Sequence, residues 1–450
     1  MENPYNSLTA LIRGSRMLRL VFVGVLVLLL LIPIASLGRL VSERQGRAAG
    51  AVDEVSSKWG KRQAIVGPAL VLPVIRTRTL LSPSGEQVTA EEPGSAVFLP
   101  RSLRTTGSID SQVRRRGIFS VPVYRLDLRL DGDFAKPDFS QLGIDPATVE
   151  WDRAHLVVAI SDVRAIQEQT AVDWNGQSSV FVPGSGSFAE YPTGIHAPVA
   201  AGPAAEGYRF SFPLTLNGSM GVSMAPFAET TEVQLKSNST NPSFQGNWLP
   251  STRVVGKQGF EAGWSISFLG RNFPQAWTDR AEMRPAIEGS QFGVDLVEPV
   301  DAYSMAKRSL KYAGLFILLT FALVWLIEIL GRVRVHPIQY LLLGSALCLF
   351  YLLELSLAEH LGFGPAYGIA SLAVVAMVAG YSWVIFRQRS RAAAVAGAVA
   401  GLYGYLFVLL RNEDFALVLG SIGLFTILGG IMYATRRVDW SAPAPQPGPG

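Results

Sequence analysis

The chain has 450 residues, 49% of them hydrophobic and 16% charged, with a net charge of +4. Between positions 39 and 306 there are 25 Lys and Arg against 28 Asp and Glu, so the positive excess lies beside the apolar runs and not on the long polar stretch. That distribution excludes a plain soluble protein, and without a basic soluble face it argues against nucleic-acid binding.

In chain order, 1–17 reads as a cytoplasmic N-terminus and 18–38 as the first transmembrane helix. No charge falls between Arg19 and Arg39, a run longer than the apolar region of a cleaved signal, so a retained helix is expected. The helix is expected to run on as an amphipathic stalk carrying Val41, Val52 and Val55. The whole of 39–309 is expected to be a periplasmic, mainly β domain of sandwich or layered-sheet type. Within it, 64–75 is a short β-branched run broken by Pro68 and Pro73. Strict alternation then follows in 123–130 (Leu126, Leu128 and Leu130 on one face), 208–217 (Phe210, Phe212, Leu214, Leu216) and 259–270 (Trp264, Ile266, Phe268). Period-two alternation predicts half-buried antiparallel strands. The domain holds no cysteine, so no disulfide can staple it.

Five apolar runs follow, at 310–331, 337–357, 361–386, 392–410 and 415–435. Each is close to the ~20 residues that cross a bilayer core of about 30 Å. The fold class is thus an α-helical membrane protein with an inserted mainly β extracytoplasmic domain and six transmembrane helices, one plus five. The tail, 436–450, reads as a cytoplasmic, proline-rich disordered segment. Ten arginines (13, 16, 19, 332, 334, 387, 389, 391, 436, 437) flank the runs on one side, and Arg411 alone occupies the short loops on the other. The positive-inside rule then places both termini in the cytoplasm and the large domain in the periplasm.

No motif names a reaction. His155, His196, His336 and His360 have no metal-ligand spacing, and hydrolase, zincin, phosphate-loop and dinucleotide signatures are absent. No catalytic, metal or cofactor residue is expected, and Cys348, inside an apolar run, reads as a small hydrophobe. The candidates for function are the polar residues of the membrane block: Glu328, His336, Gln339, Glu354, Glu359 and His360. Glu328 reads as an i,i+4 partner of Arg332 or as a carboxylate in a substrate or proton path. Glu359 and His360 read as a solvated turn or a proton-responsive site. Pro337 suits a first helical position, and Gln339 is expected to bond Glu328 or Arg332 on the preceding helix. The Gly397/Gly401 pair is expected to pack inside the helical block, and 411–414 to form a salt-bridged turn.

Several segments together resemble one family. They are Ser42-Glu43-Arg44, Val66-Gly67-Pro68 with Pro73, and the run NPSFQGNWLP from Asn241 to Pro250. In the membrane block they are HPIQYLLLG from His336 to Gly344, FYLL from Phe350 to Leu353, EHLGF from Glu359 to Phe363, and RVDW ending at Trp440. The chain is similar over 18–440 to the CreD (Cet) family of bacterial inner-membrane proteins; Glu354 and the proline-rich tail are not part of the shared pattern. The resemblance implies a link to envelope integrity, genes under the Cre two-component system and tolerance to a colicin. It carries over no catalytic residue.

Two readings follow. In the first, a non-enzymatic envelope protein sits in the lipid bilayer and its β domain binds a periplasmic protein, lipid or cell-wall component. In the second, the polar residues of the five-helix block serve a transporter or lipid-handling protein.

Overall fold

The computed structural model describes residues 16–81, 87–279, 281–296, 302–331, 333, 335–412 and 415–436. The chain divides into two compact units, Gly50–Pro299 and the pair Met1–Ala49 with Val300–Gly450.

Gly50–Pro299 is built of two β-sheets. The centre of the nine-stranded first sheet is Gln63–Leu81, antiparallel to Gln87–Phe98 and His155–Ile160 and parallel to Gly221–Met224. Its Ile65, Val66 and Ala69 through Leu72 are all buried, the near-continuous apolar run of a strand covered on both faces. The expected short broken run is therefore one 19-residue strand. Pro68 does not end it, because the register against His155–Ile160 shifts between Val66 and Ala69, and a bulge is where a sheet tolerates proline.

The eight-stranded second sheet runs Thr252–Gly256, Gly259–Ser267, Thr230–Ser237, Ser102–Arg116, Phe119–Ala135, Gly207–Ser219, Ala171–Trp174, Gln177–Val180. Leu126, Leu128, Leu130, Phe210, Phe212, Leu214, Leu216, Trp264 and Ile266 point inward as the alternation requires. On the opposite face Arg125 pairs with Asp127 (3.2 Å) and Glu168 (3.0 Å). Phe268 departs from the pattern. The strand ends at Ser267, whose hydroxyl accepts from Leu269 N at 3.4 Å and turns the chain, leaving Phe268 exposed. Nor is the sheet wholly antiparallel, since Thr230–Ser237 runs parallel to Ser102–Arg116. Both sheets feed one hydrophobic core, which holds Leu70 and Val157 from the first and Leu126 and Phe212 from the second. Each such side chain contributes about 1.5–3 kcal/mol by leaving water.

The other unit is helical. Its helices are α1 (Arg16–Trp59, which continues into the β unit), α2 (Ala302–Lys311), α3 (Ala313–Gly331), α4 (Pro337–Leu361), α5 (Phe363–Phe386), α6 (Arg389–Arg411) and α7 (Ala416–Thr435). Among the described residues five helices are long and apolar enough to cross a membrane, or six if α2 and α3, bent by 45°, form one span. In α1, Val23, Leu26, Leu30 and Ile34 recur at helical spacing and are buried with Phe321 and Leu347. Phe350 anchors an aromatic centre, 4.3 Å from Tyr403 and 5.3 Å from Tyr367 between ring centroids.

Several boundaries differ from expectation. α2 clusters with the helices and not with the β domain, because its Ala306 and Ser309 are buried there. α4 runs on to Leu361, and the break before α5 is Gly362 at φ +78°, a left-handed conformation that glycine adopts without strain. A side chain added at Gly397 or Gly401 would touch nothing within 4 Å, so their stripe on α6 faces outward and not into the helical unit. Arg332, Arg334, positions 413–414 and the tail from 437 lie outside the described residues.

Candidate functional site in the helical unit

The polar candidates gather on α4 and its neighbours. At the start of α4, His336 is the N-cap. Its Nδ1 accepts from Ile338 N at 3.3 Å, while Gln339 Oε1 accepts from His336 N at 2.8 Å. This reciprocal cap satisfies amide hydrogens that the first helical turn leaves free. Gln339 thus turns its carbonyl onto the cap of its own helix, and among the described residues no hydrogen bond joins its amide to Glu328; Arg332, the other expected partner, is outside the described residues. The neighbouring Tyr340 makes the interhelical bond. Its ring meets Phe321 edge-on at 5.4 Å and its hydroxyl donates to Glu328 Oε2 at 3.0 Å. Glu328 Oε1 accepts from Val335 N at 3.4 Å, so this buried carboxylate fastens the α3–α4 connection.

At the other end of α4 two carboxylates receive hydroxyls from α2. Ser309 donates to Glu354 Oε2 at 2.9 Å and Tyr303 to Glu359 Oε1 at 3.0 Å. From 303 to 309 is about 9 Å of helix rise, and from 354 to 359 about 7.5 Å. Two bonds in this antiparallel order hold the helices side by side. Glu359 Oε2 also meets Arg44 of α1 at 3.1 Å, so one side chain ties three helices. Around them Val41, Ala306 and Leu355 form a small buried cluster. Glu359 and His360 therefore occupy the last turn of α4 and not a connecting turn, and His360 is exposed. Sequence reasoning missed Arg44, Tyr303 and Ser309. The available signal for Ser309 was that it lies across the helical wheel of α2 from Lys307 and Lys311; Tyr303, four residues before Lys307, carried none.

Glu354 is the most enclosed acid of the set, 1% exposed. Its Oε1 and the hydroxyl of Tyr351, one turn earlier, are buried without a hydrogen-bond partner. A polar pair left open in an apolar bundle is the arrangement from which a water- or proton-holding position can be built.

The β unit offers other surfaces. A cleft of about 860 Å³ opens among Arg101, Asp133, Asp173, Glu206, Arg209 and Ser211. A second, about 770 Å³, lies between Asp110, Lys236, Val254, Lys257 and Glu261. Among the described residues, no group of three or more His, Cys, Asp and Glu could hold a metal ion. The fold does join His155 and His196, whose rings lie 5.5 Å apart. His155 Nε2 accepts from Ser187 N at 3.2 Å, which leaves Nδ1 to donate to Arg153 O, and His196 Nδ1 donates to Gly184 O at 2.8 Å. Together they clamp the 183–191 loop.

Burial pushes the His155 pKa below the ordinary histidine value; the hydrogen bond to Arg153 O opposes this, and the charges of His196 and Arg153 add to the lowering in smaller measure. The unfolded chain then binds more protons than the folded one as pH falls below about 6.5. His155 should therefore contribute its full stability above that pH and lose it as pH drops towards its folded pKa, by at most about 1.4 kcal/mol per pH unit. Glu190 on the same loop acts oppositely, because burial raises its pKa and the folded state gains as it takes up a proton. The check is the melting temperature at pH 7.5 and 5.5 for the parent and for His155→Gln. The parent should lose more on acidification; equal losses would rule His155 out as the cause.

The profile described as "Inner membrane protein CreD" matches residues 15–441. Inner membrane protein CreD of Escherichia coli (strain K12) is 34% identical over 423 residues, covering 92% of each chain. Among solved structures, an M1 zinc metallopeptidase from Deinococcus radiodurans is 8% identical, covers 37% of this chain and 38% of that one, and gives a TM-score of 0.17. A mutant of that enzyme bound to a Tyr-Ser-Ala substrate is 8% identical, covers 77% and 95%, and gives 0.23. At those scores the likeness carries no argument about fold or activity.

Proposed function

The chain belongs to the CreD family of inner-membrane proteins, and from that premise we propose that Gly50–Pro299 is its working part, a non-enzymatic periplasmic module that supports envelope integrity and colicin tolerance. The observation that carries this reading is a division of labour among polar groups. In the helical unit Glu328, Glu354 and Glu359 each accept a hydrogen bond that fastens one helix to another. In the β unit, open clefts of about 860 and 770 Å³ present charged and polar side chains to solvent, the kind of surface that takes a protein, lipid or cell-wall ligand. Both termini are cytoplasmic in this reading, by the arginine distribution.

The test uses cells whose colicin tolerance depends on this chain. Ser211→Trp, which fills the larger cleft from an outward-facing strand position, should abolish tolerance at normal protein level, while Glu354→Gln should leave it intact. A cysteine at exposed Ser178, in a Cys348→Ala background, should react with an impermeant thiol reagent before the inner membrane is lysed. A second reading, transport or lipid handling by the helices, is favoured by the unpartnered Glu354 Oε1 and Tyr351 hydroxyl. The opposite outcome, tolerance lost in Glu354→Gln and kept in Ser211→Trp, would select it.

A further inference from the structure

We propose that α2 docks the headgroup of an anionic phospholipid between Lys307 and Lys311. The helix AYSMAKRSLK contains three basic residues and no acid. One face is committed to the helical unit, with Ala306 and Ser309 buried and Tyr303 and Ser309 bonded to α4. Lys307 and Lys311 lie across the helix from Ser309, beside Tyr303 at the edge of that face, and are exposed. Neither has an acidic partner among the described residues. At i,i+4 their Cβ atoms are roughly 6 Å apart, neighbours on one surface, and like charges at that spacing repel unless an anion sits between them.

The position selects the anion. α3 has 19 residues, a rise of about 28 Å, which matches a hydrocarbon core of roughly 30 Å. α2 precedes it with a 45° bend; with α3 filling the hydrocarbon core, the two ammonium groups come to the level of the lipid phosphates. Leu318, on α3 beyond the bend, is 48% exposed and offers an apolar surface within the core, where an acyl chain would lie. A basic face at the interface, followed by an apolar one, is the arrangement that holds acidic lipids.

The experiment measures lipid binding to the full-length protein in detergent by native mass spectrometry. Phosphatidylglycerol should be retained in preference to phosphatidylcholine. The Lys307→Gln/Lys311→Gln variant should bind phosphatidylglycerol about 25-fold more weakly, from two lysines at the membrane surface. Lys307→Arg/Lys311→Arg should bind as the parent does. An unchanged melting temperature shows that the variants keep the fold, as two exposed side chains should permit. Equal retention of the two lipids, or parental binding by the double Gln variant, would overturn the proposal. So would displacement by inorganic phosphate, which would mark a site for a soluble anion.

Discussion

Arg271→Ala should cost the β domain about 4 kcal/mol, a large fraction of the stability of an ordinary domain. Arg271 is 7% exposed and, among the described residues, its guanidinium forms no salt bridge. Instead, Nε donates to Phe273 O at 3.2 Å, and Nη1 donates to Pro226 O at 2.9 Å and Ala228 O at 3.2 Å. Nη2 bonds Gln275, which in turn donates to Pro100 O at 3.0 Å. The cation also lies 4.5 Å from the centre of the Phe273 ring. Burial pulls its pKa down to about 10, so it stays charged at neutral pH. Alanine would leave these buried acceptors open, and a hydrogen bond to a charged group is worth about 1.5–3 kcal/mol. Lysine keeps the charge but offers one centre in place of a planar fork, so Arg271→Lys should recover less than half. Denaturant titration of the β unit, followed by its tryptophan fluorescence, reads the effect. A loss below about 1 kcal/mol would show that the acceptors find other donors.

The second large effect lies in the helical unit and has a built-in contrast. Glu359→Leu should lower stability by about 2 kcal/mol. Its side chain is 6% exposed and balances Arg44, which is 33% exposed, so the abandoned guanidinium can partly rehydrate and the full penalty of a buried orphan charge is not reached. The Tyr303 hydroxyl also loses its acceptor. Glu354→Leu should cost much less, under about 1 kcal/mol, because it removes a buried oxygen that has no partner together with a single bond from Ser309. Thermal melts of the two variants in the same detergent give the comparison. Equal losses would show that Glu359 is no more of an anchor than Glu354.

What the sequence by itself determined was periodic. Apolar runs of bilayer length became the helices α3 to α7, and the alternation in Phe119–Ala135 and Gly207–Ser219 became strands with the expected faces inward. Both follow from neighbouring residues, because the solvent on each side of an element dictates which side chains it can expose. The family resemblance was equally legible, being carried by contiguous motifs such as His336 to Gly344. Partner choice was decided only by the tertiary structure. Gln339 and Tyr340 are adjacent and both polar, and spacing cannot say which one turns to the N-cap and which reaches Glu328. Glu359 finds Arg44 across 315 positions, and Arg271 finds two of its three carbonyls in a segment 43 to 45 residues earlier. Pro68 looked like the end of a strand until a bulge against His155–Ile160 accommodated it. The physical reason is common to all of them. A hydrogen bond depends on distance and angle between atoms that the chain brings together only after its apolar surfaces have packed, whereas hydrophobic burial has no direction and leaves its period in the sequence.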